Sequence, residues 1–183
     1  EMEIHFKENF QLVLPEDIRS LNRLQTGLFD VSGSESLLNS WEFFDQVIVT
    51  MDSVKPIDSR QGWTDERVVE YNQRRFEDLI SAGWDLIIVD EAHKMGGSSE
   101  IIARHQLGKG LSESAPNLLL LTATPHQGKT DAFLRLMRLL DPMLFPEGVA
   151  LNKERVKTFT IRTEKRQAVD VNGEPIFTPR STQ

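Results

Sequence analysis

Two adjacent carboxylates, Asp90 and Glu91, follow directly after the apolar run Leu86-Ile87-Ile88-Val89. Runs of this length without alternation predict strands that are covered on both faces, as in a parallel sheet. Open α/β sheets bind ligands beyond the carboxyl ends of their strands. One carboxylate there can hold a hydrated Mg²⁺, and its neighbour can polarise a water molecule for attack on a phosphate. The alternative is structural, because an Asp-Glu pair after a strand can also cap the following helix.

A second polar cluster, Thr122-Ala123-Thr124-Pro125, follows another apolar run, Leu118-Leu119-Leu120-Leu121, and His93 lies two residues after Glu91. This cluster also falls beyond the carboxyl end of an apolar run, where open α/β sheets bind their ligands. Each also has a structural alternative. His93 can be an ordinary residue at a helix start, and the two threonines can cap the next helix.

These clusters need an α/β scaffold to hold them, and the apolar pattern predicts strands that alternate with helices in a mainly parallel sheet. The glycines Gly108 and Gly110 predict a turn, Asp65 is a plausible helix cap, and Asn172-Gly173 predicts another turn. The sequence predicts a helix end in 1–10, helix and loop in 16–28, helices over 65–82, 101–107 and 131–140, and strands over 11–14, 43–50, 86–89, 118–121 and 156–162.

Composition limits the possible functions. The 183 residues suffice for one domain, and 39% hydrophobic with 27% charged residues is a globular balance. The absence of cysteine excludes disulfides, thiolate nucleophiles and cysteine-bound zinc. No apolar run approaches the roughly 18 residues of a membrane helix. The net charge of −7 argues against a globally basic nucleic-acid binder.

The motifs together resemble those of superfamily-two helicases. Residues 85–93 look like their motif II, the Walker B box, and 118–125 resemble motif III. Residues 126–129 and 133–145 are similar to the Swi/Snf-type branch, especially its bacterial members that act on double-stranded DNA or accompany RNA polymerase. Supporting segments are 160–166, similar to the family's Arg-rich segment, and 47–50, at the position of a motif Ib strand.

The resemblance implies a partial RecA-like three-layer domain that works with ATP and Mg²⁺ in a complete two-lobe enzyme. It assigns Asp90 to the metal, Glu91 to the hydrolytic water, and His93 to contact with motif III. It assigns Thr122 and Thr124 to coupling the nucleotide state to the second lobe. Thr50 becomes a candidate contact to the nucleic-acid backbone. It also implies double-stranded DNA as partner, participation in a multiprotein complex, and a bacterial, cytoplasmic and nucleoid-associated location.

One motif imitates a phosphate-binding loop. Gly128-Lys129-Thr130 ends a string that fits Gly-x-x-x-x-Gly-Lys-Ser/Thr except for Ala123 at the first glycine. Pro125 removes a backbone N–H that such a loop would present, and the string follows the Walker B-like strand, which the loop of this fold precedes. A nucleoside triphosphatase that uses Lys129 is therefore the less favoured alternative.

Without that loop, the sequence contains no Walker A motif, and its first residue is not Met. We therefore expect residues 1–166 to be the later part of the first RecA-like lobe of a longer protein, with 167–183 as a loose tail or linker. The isolated chain is expected to be inactive. The other alternative is a non-catalytic, helicase-like scaffold module.

Overall fold

The computed structural model describes residues 4, 7–14, 16–18, 20, 39–96, 103–124, 130–162 and 167–177. The expected helix end in 1–10 and the helix and loop in 16–28 lie largely outside these residues. Within them, strands and helices alternate as an α/β domain. The elements are β1 (Gln11–Leu12), a 3₁₀ turn (Ser40–Phe43), β2 (Val47–Ile48), α1 (Met51–Val54), α2 (Asp65–Asn72), a π-helical turn (Gln73–Glu77), α3 (Asp78–Ser81), β3 (Leu86–Val89), α4 (His93–Gly96), α5 (Ala103–Ser114), β4 (Asn117–Leu120), α6 (Thr130–Leu140) and α7 (Lys153–Phe159).

Both strand pairs in the described part of the chain are parallel, as the apolar runs predict. Strand β1 pairs with β2, and β3 pairs with β4 so that Val89 is opposite Leu120. Backbone hydrogen bonds continue past the β3–β4 ladder: the Leu121 N–H donates to the Val89 carbonyl at 2.8 Å, and the Ala92 N–H donates to the Leu121 carbonyl at 2.9 Å. The two strand ends that carry the polar clusters are therefore fixed to each other.

The expectation that these strands are covered on both faces is wrong for the described residues. One face of β3–β4 packs into the main core, with Val89 buried and Ile87 and Leu118 against it. On the other face, Ile88 is 53% exposed and Leu119 is 47% exposed. A parallel strand pair buries both faces only when helices cover both, and the described helices cover one.

Helix α5 runs without interruption through Gly108 and Gly110, so the predicted glycine turn is wrong. A Cβ atom on Gly108 would lie 2.9 Å from Leu139 Cδ1, and one on Gly110 would lie 2.8 Å from Phe76 Cζ. The glycines are there because neighbouring side chains approach the helix backbone closely. Tertiary packing outweighs the roughly 1 kcal/mol that glycine costs inside a helix.

The helix predicted over 65–82 is present, and a π-helical turn divides it. The Asp78 N–H donates to the Gln73 carbonyl, five residues back, and the Arg74 carbonyl instead accepts a hydrogen bond from Trp41 Nε1 at 3.1 Å. The cap is Thr64 rather than Asp65, because the Thr64 side chain accepts from the Arg67 N–H. The π-helical turn thus leaves the Arg74 carbonyl free to accept the indole N–H of the buried Trp41.

The last predicted strand, 156–162, is wrong, because Lys153–Phe159 is a helix. Asn152 caps it by accepting from two backbone N–H groups, and the Phe159 ring packs edge-on against Phe145 at 5.4 Å. The amphipathic helix over 131–140 is confirmed as α6, and the predicted Asn172-Gly173 turn is present, with the Gly173 N–H donating to the Asp170 carbonyl. In the described residues, no helix is long and apolar enough to cross a membrane.

Candidate functional site

The carboxyl ends of β3 and β4 place three of the predicted site side chains in one cluster. The Nδ1 atom of His93 lies 3.0 Å from the Thr122 hydroxyl and 3.1 Å from Glu91 Oε2. Glu91 lies in the turn after β3, His93 is the first residue of α4, and Thr122 follows β4. The His93 side chain is 14% exposed and that of Glu91 is 50% exposed, so the imidazole is the sheltered centre of the cluster.

The turn that carries Glu91 has a strained backbone. Glu91 has φ +50°, in the left-handed region that residues with a Cβ rarely adopt. Such a conformation costs on the order of 1–2 kcal/mol and persists only where surrounding contacts hold it. Two contacts do so here: the Glu91 N–H donates to Asp90 Oδ1 at 2.8 Å, and the Lys94 N–H donates to the Glu91 carbonyl at 3.0 Å.

Asp90 is exposed and ends β3 at the sheet edge. One of its carboxylate oxygens accepts from the Glu91 N–H, and the other has no hydrogen-bond donor among the described residues. An exposed carboxylate oxygen is a ligand that Mg²⁺ prefers, and Mg²⁺ usually keeps several of its waters. No group of three His, Asp or Glu side chains forms a metal cage within the described ranges. Asp90 therefore fits a metal held mostly by water and by phosphate, and does not fit a metal enclosed by protein.

The Thr122 hydroxyl is engaged on two sides. Besides His93, it contacts the Thr124 backbone, whose N–H donates to Thr122 Oγ1 at 3.2 Å. Helix α6 begins only at Thr130, so neither hydroxyl is seen capping it among the described contacts. Ala123 and Thr124 are exposed. Pro125 and Lys129 lie outside the described residues, so the loop that imitates a phosphate cradle has no described geometry.

Thr50, the candidate nucleic-acid contact, is not part of this cluster as described. It is the exposed residue at the N-cap of α1, where its side chain makes no capping hydrogen bond. Its carbonyl accepts from the Ser53 N–H and from the Ser53 hydroxyl. The hydroxyl of Thr50 is therefore available at the surface beside a short helix.

Sequence reasoning missed an ion-pair link between α1 and α5. Arg104 donates from Nε and Nη2 to the Asp52 carboxylate at 2.9–3.0 Å, and Lys55 also donates to it at 2.9 Å. Hydrogen bonds from Lys55 and Arg104 hold the pKa of Asp52 below its usual value. The two partners are 52 residues apart in the chain, so no local pattern reveals the pair. The ion pair between Asp52 and Arg104 therefore ties α1, whose N-cap is Thr50, to α5.

Sequence reasoning also missed a row of arginine and aromatic side chains. Arg60 and Arg67 each place a guanidinium over the Trp63 ring, with Cζ 4.6 Å and 4.4 Å from its centroid. Tyr71 packs edge-on against Trp63 at 5.4 Å, and Arg75 Cζ lies 4.4 Å above the Tyr71 ring. Trp63, Arg67, Tyr71 and Arg75 recur at every fourth position, from just before α2 into the π-helical turn that follows it. This is close to the spacing of neighbours on a helix face, and it was the available signal.

Comparison with known proteins agrees with the motifs. Residues 30–170 match the SNF2-related domain family. The chain is 43% identical over 150 residues to the RNA polymerase-associated protein RapA of Yersinia pestis (strain Pestoides F), covering 79% of this chain and 14% of that protein. It is 41% identical over 138 residues to the protein of the same name from Proteus mirabilis (strain HI4320), covering 72% of this chain and 12% of the relative.

The chain thus spans about one seventh of the length of these relatives. The matched region contains Asp90, Glu91, His93 and the segment 122–125, and the described fold is a partial α/β domain with parallel strand pairs. The resemblance to the Swi/Snf-type branch of superfamily two is confirmed: this chain belongs to the SNF2-related family.

Proposed function

We propose that this chain is a fragment of an ATP-dependent DNA translocase of the Swi/Snf type, and that it supplies the residues that handle the metal and the attacking water. The observation that carries the proposal is the meeting of Glu91, His93 and Thr122 at the ends of two parallel strands. The family match supports ATP as the substrate of the complete protein. In this proposal residues 1–166 are part of the first RecA-like lobe, and 167–183 are a tail or linker.

Each residue has a distinct role. When bound, Mg²⁺ would neutralise charge on the phosphates, and Asp90 would hold it through water. Glu91 would accept the proton of the attacking water, a role for which a positioned carboxylate is worth roughly 10²–10⁴-fold in rate. His93 orients Glu91 through Nδ1. Thr122 and Thr124, with Ala123 and Pro125 between and after them, form the segment that passes this state to the rest of the protein.

His93 can couple these events because one nitrogen faces two partners. A neutral imidazole carries a proton on only one of its two nitrogens. With a proton on Nδ1, His93 can donate to the Glu91 carboxylate, whereas with a lone pair there it can accept only from the Thr122 hydroxyl. The orientation of Glu91 is therefore linked to the hydrogen bonding of motif III without any movement of the backbone.

DNA is the proposed partner, with Thr50 as one contact to its backbone. The relatives are named as RNA polymerase-associated proteins, which supports a multiprotein complex for this protein as well. A bacterial cytoplasmic location, close to the nucleoid, follows from the same proposal.

The test is ATP turnover by the full-length protein with and without duplex DNA. We expect turnover to rise at least about tenfold on addition of DNA, and the isolated 183-residue chain to turn over negligibly because the phosphate loop and the second lobe act together. Turnover by the isolated chain that Lys129→Ala abolishes would contradict this proposal and would establish Lys129 as part of a phosphate-binding loop. A full-length protein without turnover would favour the scaffold alternative.

A further inference from the structure

Five side chains that contact one another form the arginine–aromatic row: Arg60, Trp63, Arg67, Tyr71 and Arg75. Two guanidinium groups, of Arg60 and Arg67, lie over the Trp63 ring, and a third, of Arg75, lies over the Tyr71 ring. Arginine stacks well on aromatic faces because its guanidinium is planar and weakly hydrated. Stacking occupies one face of a guanidinium and leaves its N–H edge available to a ligand, and the side chains of Arg60 and Arg67 have no hydrogen-bond acceptor among the described residues.

Two contacts anchor the row to the rest of the fold. Arg75 Nη1 donates to the Ser53 carbonyl at 3.3 Å and to the Tyr71 hydroxyl at 3.2 Å. The Asn72 amide holds the preceding loop in both directions, since the Ile57 N–H donates to its oxygen and its NH₂ donates to the Ile57 carbonyl, both at 2.9 Å. The row is therefore fixed to α1, the helix that Thr50 begins.

The charge of the row is not neutralised by its surroundings. Arg60 and Arg67 are exposed and form no ion pair with any residue in the described ranges. Two of the acidic side chains on α2 have other partners. Glu70 pairs with Arg74 at 2.7 Å, and hydrogen bonds from its own backbone N–H and from Thr64 lower the pKa of Glu66.

We propose that the arginine–aromatic row binds the sugar–phosphate backbone of the DNA on which this protein acts, continuing the track that begins at Thr50. Guanidinium groups with free N–H edges suit phosphate oxygens, which they can bind through two hydrogen bonds at once. The two guanidinium groups over the Trp63 ring compete with base stacking, so in this proposal the contact is to phosphates and carries no sequence preference. The proposal rests on the proposed function, because it takes the DNA from there.

The experiment measures binding of the full-length protein to a fluorescent 30-base-pair duplex, a length about three helical turns, over a range of salt concentrations. The variant is Arg60→Gln/Arg67→Gln, and the matched control is Lys7→Gln/Lys109→Gln, which removes the same charge from two other exposed positions. The slope of log K against log salt is negative, and each lost phosphate contact reduces its magnitude by about 0.9. For the double variant we expect the magnitude of the slope to decrease by about 2 and the low-salt affinity to fall about tenfold. Both effects should be equal for unrelated duplex sequences, and the control should be unchanged.

A third variant separates charge from stacking. Trp63→Leu keeps both arginines but removes the ring that orders them. We expect affinity to fall about two- to fivefold, the equivalent of one exposed cation–π contact, with the salt slope retained. Circular dichroism and ATP turnover in the absence of DNA should match the wild type for all variants.

The outcomes distinguish the two proposals. If the wild-type protein fails to bind DNA, the proposed function fails. If wild-type binding is intact and Arg60→Gln/Arg67→Gln leaves slope and affinity unchanged, this inference alone is overturned. Binding to poly-glutamate is measured as well. If Arg60→Gln/Arg67→Gln loses binding to poly-glutamate but keeps its binding to DNA, the inference is also overturned, because that result assigns the row to an acidic protein partner.

Discussion

One ring nitrogen of His93 lies within hydrogen-bonding distance of both a carboxylate and a hydroxyl, Glu91 and Thr122. Because Nδ1 can be either donor or acceptor, it cannot serve both partners equally at one time. The Thr122 oxygen also accepts from the Thr124 N–H, so its own proton is free to turn toward the imidazole. In the candidate site, the Glu91 carboxylate and the Thr122 hydroxyl thus compete for hydrogen bonding to the Nδ1 atom of His93.

Removing the hydroxyl of Thr122 should lower the turnover of ATP more than it weakens the binding of ATP. We expect Thr122→Val to lower kcat of the full-length protein by about 10- to 150-fold, because one hydrogen bond that positions a charged group is worth roughly 1.5–3 kcal/mol, and to leave KM for ATP within about threefold. Thr158→Val, at an exposed position of α7, is the control. His93→Asn keeps a hydrogen-bonding atom near Nδ1 and should retain more activity than His93→Gln. A change in KM alone would contradict the positioning role.

The helices behind the strand pair are held together by close backbone contacts. A Cβ on Gly96, at the end of α4, would lie 2.7 Å from the Ala132 carbonyl oxygen in α6. Arg135 of α6 also donates a short hydrogen bond from Nε to the Gly96 carbonyl. At the scale of elements, the turn that carries Glu91 and His93 is continued by a helix that has little freedom to move against α6.

Gly96→Ala should therefore destabilise the protein, because a backbone atom cannot yield as the end of a flexible side chain can. The expected loss is about 1–3 kcal/mol in free energy of unfolding, measured by denaturant titration with tryptophan fluorescence. Lys109→Ala on the exposed side of α5 should change that free energy by less than about 0.5 kcal/mol. Equal midpoints for the two variants would show that α4 and α6 can separate without cost.

Several elements follow from local pattern, and others depend on contacts that a sequence does not display. The runs 86–89 and 118–121 predicted two parallel strands, and the apolar spacing of 131–140 predicted α6, because those segments bury one consistent face. Gly108 and Gly110 misled the prediction, since their purpose is close approach to side chains from other helices. The proximity of His93 and Thr122 followed from the motifs, but the second contact of His93 with Glu91 depends on the φ of +50° at Glu91.

Taken as a whole, the described part of the molecule exposes one apolar face of its central strand pair. Leu86, Ile88, Leu119 and Leu121 are each between 43% and 53% exposed, although β3 and β4 pair in full register. Contiguous exposed apolar side chains on a sheet are unusual for a free-standing surface. The sequence predicts strands that are buried on both faces, whereas the described residues bury only one face.

The 183-residue chain should accordingly bind a hydrophobic dye through this face. We expect Ile88→Thr/Leu119→Thr to reduce the fluorescence of bound dye by about half, because two central apolar side chains of the face are replaced. The control is Ile161→Thr/Val171→Thr, which changes two side chains that are fully exposed elsewhere. If the control lowered dye binding as much, the face would have no special part in it.

Whether Glu91 acts on the water and not on nucleotide binding is decided by Glu91→Gln in the full-length protein. ATP affinity and single-turnover cleavage are measured together on a DNA-bound sample, with Glu113→Gln as a control at an exposed position of α5. We expect ATP affinity to stay within about threefold while cleavage slows by about 10²-fold or more. Cleavage within about threefold of the wild-type rate would contradict it.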